Sequence, residues 1–152
     1  MRFRTIFFAV ILLCAGQMSG YIDEAEGAPQ KWPAEVKEIK YFSRANESMQ
    51  PALFYEPDSA EPRPLLVALH TWSGDYKQKH SIPYAQWCLE SGWVFIHPHF
   101  RGPNRRPETT GSALVIRDII CSVDHAMANA NVDTQRIYLV GASGGGYAAL
   151  LV

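Results

Sequence analysis

Apolar residues fall along this chain in short unbroken runs separated by stretches of helical period. Leu65 to His70 (LLVALH), Trp93 to His97 (WVFIH) and Arg136 to Val140 (RIYLV) are such runs. None alternates in and out as a strand with one wet face does, so each reads as a strand covered on both sides. Between the first two lies Ile82 to Ser91, a helix that tolerates Pro83 in its first turn and stops at Gly92. Between the second and third, after a long loop from His97 to Gly111, Ser112 to Ala130 is an amphipathic helix. There Ile116, Ile119, Ile120, Val123 and Met127 recur at three- and four-residue steps. Asn131-Val132-Asp133 turns the chain into the third run. Ahead of the first run, Ile39 to Ser43 and Ala52 to Glu56 flank Asn46-Glu47-Ser48 and predict an antiparallel hairpin, joined onward by a Pro-rich connector from Asp58 to Pro64. Behind the third run comes a tight glycine turn, Gly141 to Gly146, and a helix from Tyr147. Parallel strands need right-handed crossovers. The expected fold is therefore α/β: a doubly wound, mainly parallel sheet with an antiparallel N-terminal edge.

The N-terminus changes this picture. Arg2 and Arg4 precede an apolar run up to Ala15, the anatomy of a secretory signal peptide. The run is shorter than the ~20 residues a membrane span requires. We expect a signal over residues 1–20, cleaved at Gly16, at Gly20 or near Ala25-Glu26-Gly27. A polar, flexible lead-in over 21–35 and a folded domain over 36–152 follow. The protein is then secreted or periplasmic, with no stable membrane span after cleavage. Lipid anchoring at Cys14 is disfavoured by the bulky Leu13 before it. Formal net charge is −1 and no basic stripe exists, which argues against a nucleic-acid partner. Cys88 and Cys121 remain after cleavage. The fold puts their helices on opposite faces of the sheet, so no disulfide is expected. The last helix has barely begun at Val152, and we expect the N-terminal part of a longer domain, poorly soluble alone because its sheet keeps an open edge.

One motif carries chemistry. Gly141-Ala142-Ser143-Gly144-Gly145 fits G-x-S-x-G between a buried strand and a small-residue helix, the setting of a nucleophile elbow. Such a turn strains the serine so that its hydroxyl stands above the sheet. Side chains at Gly141 or Gly145 would collide with neighbouring backbone. The helix mouth offers N–H groups to developing negative charge, with Gly144 N–H as one oxyanion donor. The second donor is expected from the loop His70-Thr71-Trp72-Ser73-Gly74, from Thr71 or Trp72, with Trp72 preferred. His70 reads as a strand-end residue bonded to nearby backbone. Gly144, Gly146 and Ala149 also fit a dinucleotide fingerprint, but that turn belongs after the first parallel strand. His97-Pro98-His99 has the form of a metal H-x-H without a carboxylate or cysteine beside it, which argues against zinc. Arg101, Arg105 and Arg106 either bind a substrate anion or brace their own loop. No cofactor is called for. Chain order in this kind of site runs Ser, acid, His. Neither Asp118 nor Asp124 is therefore the acid, none of the five histidines is the base, and both partners are expected beyond Val152.

Pro98 to Tyr147 resembles the catalytic domain of the prolyl oligopeptidase family in the α/β-hydrolase superfamily. The resemblance rests on Arg101-Gly102, Asp118-Ile119, Val132-Asp133 with Arg136-Ile137, and Gly141-x-Ser143-x-Gly145-Gly146. It implies an α/β-hydrolase-type fold, Ser143 as acyl-accepting nucleophile, and a peptide or ester substrate. His99 departs from the acidic residue often found there, and the short N-terminal region fits secreted esterases as well. Peptidase and esterase both stay open, as does a non-catalytic binding module of the same fold.

Overall fold

The computed structural model describes residues 8–10 and 31–152. Apart from Phe8–Val10, the proposed signal segment lies outside the described residues, as does most of the lead-in. Six strands form one mixed sheet: β1 (Phe8–Val10), β2 (Lys37–Ser43), β3 (Ser48–Tyr55), β4 (Arg63–Leu69), β5 (Val94–Pro98) and β6 (Val132–Gly141), in the order β1-β6-β4-β5-β3-β2. β2 and β3 are the antiparallel hairpin, and β3 also runs antiparallel to β5. β4 is parallel to both β5 and β6, and β1 is parallel to β6. The helices are α1 (Ile82–Ser91), α2 (Ala113–Asn129) and α3 (Gly144–Leu151).

β4 and β5 are buried on both faces, as their unbroken apolar runs require, whereas β6 is buried only at Ile137, Leu139 and Val140, with Tyr138 half-buried and Thr134 to Arg136 exposed. Leu65, Val67 and Leu69 of β4 pack with Val115 and Ile119 of α2 and Ala148 and Ala149 of α3. Leu66 and Ala68 face the other way, onto Ala85 and Cys88 of α1. Cys88 and Cys121 are both buried and free on opposite faces. Helix ends follow local chemistry. Gly92 closes α1 in the left-handed region (φ 65°), and the Ser112 hydroxyl accepts from Val115 N at the start of α2. Among the described residues no helix is long and apolar enough to cross a membrane.

Four expectations need correction. The hairpin strands are longer than their apolar centres, spanning Lys37–Ser43 and Ser48–Tyr55. β6 begins at Val132 rather than Arg136: Val132 pairs with Arg63 before the register shifts to Ile137 opposite Leu65. The expected turn survives as an irregularity inside the strand, where Asp133 accepts from Gln135 N and Arg136 Nε. α3 begins at Gly144, not Tyr147, because the glycines are themselves helical. Lastly, Ile120 is 42% exposed, and the inward stripe of α2 runs through Val115, Asp118, Ile119, Ser122 and Ala126.

Asp118 turns inward because it has partners. Its carboxylate takes two bonds from Arg101, from Nε at 2.6 Å and from a terminal nitrogen at 3.1 Å, and a third from the Ser43 hydroxyl. This pair ties the β5–α2 loop to α2 and to the hairpin. Removing one partner leaves a charge stranded in the interior. Asp118→Leu is therefore expected to cost about 3–5 kcal/mol in urea denaturation; a change below about 1 kcal/mol would show that the pair contributes little.

Candidate active site

Strand order reverses around β4. The connection through α1 leads to β5 on one side, and the return through α2 crosses to β6 on the other. The helices that follow the neighbouring strands β4 and β6 then lie on opposite faces, and the crevice opens at the strands' carboxyl ends. Two loops meet there: His70 to Gly74 after β4, and Gly141 to Ser143 after β6.

Ser143 stands past the carboxyl end of β6 in a conformation few L-residues adopt, φ 53° and ψ −120°. Its side chain is exposed, at the mouth of α3, whose first residue is Gly144. The bend is feasible only without side chains around it. A Cβ at Gly145 would come 2.8 Å from His70 O, at the tip of β4. One at Gly141 would lie 2.6 Å from Gly145 O, and one at Gly144 would lie 2.7 Å from Trp72 N. Real Cβ atoms do not tolerate such distances, so these glycines let the elbow seat against the β4–α1 loop.

Two backbone N–H groups close to this turn are uncommitted. Gly144 N–H opens α3 and has no acceptor within its own helix. Trp72 N–H has no partner among the described residues, whereas Thr71 N–H donates to Gln78 Oε1 at 3.0 Å. Of the two loop residues considered as second donor, Trp72 is the one whose N–H is uncommitted. Trp72 is 41% exposed, and its indole lies 6.3 Å from the Tyr147 ring.

The other residues singled out by sequence divide clearly. His70 is buried and stacks on Phe100, with ring centroids 3.9 Å apart and 7° between planes. His97 bonds through Nδ1 to Ala68 O at 2.6 Å. Among the described residues no cluster of three or more His, Cys, Asp or Glu converges as a metal site. Arg101 is committed to Asp118 and to Asn46 Oδ1 and braces its loop, although it also lines the depression around Arg106. Arg106 lines a depression of about 530 Å³ with His99, Glu108 and Leu114. A second depression of about 530 Å³ lies between Glu56–Ser59 and Ala128–Asn131. Neither is lined by Ser143. Asp124 pairs with Arg44 on the surface. The sequence does not single out Gln78 or Asn104, which support the β4–α1 loop, because no spacing rule marks them.

With this geometry in view, the solved structures that match become informative. The Pyrococcus horikoshii acylaminoacyl peptidase superposes with a TM-score of 0.62 at 20% identity, over 78% of this chain and 21% of that one. A thermostable esterase matches with a TM-score of 0.60 at 18% identity, over 75% and 36%. The carboxylesterase EstE1, from a metagenomic library, gives 0.60 at 20%, over 78% and 40%. This chain has the α/β-hydrolase fold. It spans about a fifth of the length of the matched peptidase and well under half of the matched esterases. No protein-family model and no curated protein matches it.

The histidines around the crevice give this α/β-hydrolase sheet a pH signature. Burial pushes His70 down to about 4 against the opposing pull of Thr71 O, and His97 down to about 4 against that of Ala68 O. Above about pH 6.5 both folded and unfolded chains hold these rings neutral, and they do not affect stability. Below it the unfolded chain binds protons that the folded chain refuses, so stability falls as pH drops from about 6.5 to 4 and levels off beneath. Each ring accounts for roughly 3 kcal/mol at most. Urea denaturation at pH 7, 5.5 and 4 should show this loss, and His97→Phe should flatten it; equal slopes in the two proteins would refute the assignment.

Proposed function

We propose that this protein is a serine hydrolase that cleaves an ester or peptide bond through an acyl-enzyme on Ser143. One observation carries the reading. An exposed serine is held at φ 53° at the head of α3, beside the N–H groups of Gly144 and Trp72. A strained non-glycine residue at a strand-to-helix junction costs about 1–3 kcal/mol and persists where function uses it.

In the proposed reaction Ser143 Oγ attacks the carbonyl carbon, and its proton passes to a general base. By resemblance that base is a histidine following Ser143 in chain order, itself oriented by an acid. The carbonyl oxygen takes up the negative charge and accepts hydrogen bonds from Gly144 N–H and Trp72 N–H. Collapse breaks the bond to the alcohol or amine, which leaves with the proton. Water then attacks the acyl-enzyme by the same route and restores Ser143. No metal or organic cofactor enters this scheme. Esterase and peptidase chemistry share every one of these steps, and the matched structures include both. The arginine-flanked apolar N-terminus supports secretion or export to the periplasm as the setting.

Fluorophosphonates report the activated serine directly. The full protein should be labelled covalently and hydrolyse p-nitrophenyl esters, and Ser143→Ala should abolish labelling and lower turnover by about 10³-fold or more with folding unchanged. A full protein that binds small esters but neither labels nor turns over would be a binding module of the same fold.

A further inference from the structure

The orientation of one peptide plane decides whether the loop after β4 helps or hinders a developing anion. The Thr71–Trp72 peptide is trans, so its carbonyl and its N–H point to opposite sides. With the N–H toward Gly144, the plane offers a donor. Rotated by half a turn, it would put a carbonyl oxygen against the same charge.

The carbonyl side of this plane is held from two directions. Thr71 O accepts from Gly74 N at 3.0 Å, closing a tight turn. It also bonds His70 Nδ1 at 3.0 Å. A carbonyl can only accept, so Nδ1 carries the proton and Nε2 the lone pair. That tautomer suits the surroundings, since Nε2 is buried with no partner among the described residues. The ring is packed closely. Phe100 stacks on one face, and Gly102 approaches so closely that a Cβ there would sit 2.5 Å from Nε2. The next carbonyl along, Trp72 O, accepts from Asn104 N at 2.8 Å, on the same loop that Arg101 ties to Asp118.

We propose that His70 is a positioning residue, whose Nδ1–H, by holding Thr71 O, keeps Trp72 N–H turned toward the oxygen that becomes charged. This rests on the reading of Ser143 as nucleophile. It assigns His70 a role in turnover without contact to substrate. Without the imidazole donor, the carbonyl keeps only the bond that closes its own turn, and the plane is held less firmly.

The test compares His70→Phe, which keeps the ring and its stacking but has no donor, with His70→Asn, whose amide carries a donor on a short side chain. Both are made in the full protein and assayed with p-nitrophenyl acetate. His70→Phe should lose kcat by about 10- to 100-fold with KM within about 3-fold, somewhat less than deletion of an oxyanion donor. His70→Asn should recover at least about half of that loss on a logarithmic scale. In nitrogen-15-labelled protein the contact between the Trp72 amide proton and the Gly144 α-protons should weaken in His70→Phe and persist in His70→Asn. If Phe does not fold, His70→Leu takes its place. Wild-type kcat in a folded His70→Phe, or equal losses in Phe and Asn variants with the amide contact intact in both, would overturn the proposal. If Ser143 never labels, the nucleophile reading fails, and the amide contact still decides whether His70 sets the plane.

Discussion

Everything at the crevice depends on two backbones approaching more closely than side chains permit. The turn after β6 presses its glycines onto the tip of β4, with Gly145 against the His70 carbonyl and Gly144 against Trp72 N. Adding one carbon at either place would push the loops apart. The serine's strained backbone and its uncommitted neighbouring N–H groups both follow from that contact. So does the early start of α3, since residues lacking Cβ can be helical where the packing leaves no room for a side chain.

A close approach lasts only if both sides are held. α3 holds the elbow from behind by packing Ala148 and Ala149 into the core beside β4 and β6. The facing loop has no helix of its own at that point. It depends on the β5–α2 loop, which is fastened by the Arg101–Asp118 pair and reaches Trp72 O through Asn104 N and His70 through Gly102. A charge pair in the interior is an expensive support. Here it fixes a segment with no regular structure beside the glycine contacts of the facing loop.

Much of this was legible from residue types alone. Unbroken apolar runs identified β4, β5 and β6 as strands, with β4 and β5 buried on both faces and β6 only in part, and Gly92 and Ser112 marked helix ends through their backbone and capping chemistry. The strained bend at Ser143 was legible because it needs glycine at fixed offsets from that serine. What stayed hidden is what depends on distant partners. Asp118 and Ser122 broke the apolar count on α2, so Ile120 was read as core although it faces outward. The register irregularity at Asp133 to Arg136 looked like a plain turn. Arg101 was ambiguous between ligand and brace until Asp118 was seen beside it, and nothing local pointed to Gln78 as the acceptor that removes Thr71 N–H from contention.

The central claim is that Gly144 and Trp72 jointly face the atom that becomes charged during acyl transfer to Ser143. A crystal structure of the full protein carrying a phosphonate on Ser143 Oγ tests it most directly. The account predicts the phosphoryl oxygen within ordinary hydrogen-bond distance of both N–H groups, about 2.7–3.1 Å. An adduct whose oxygen turned to solvent, or a Trp72 N–H facing away from it, would contradict the account.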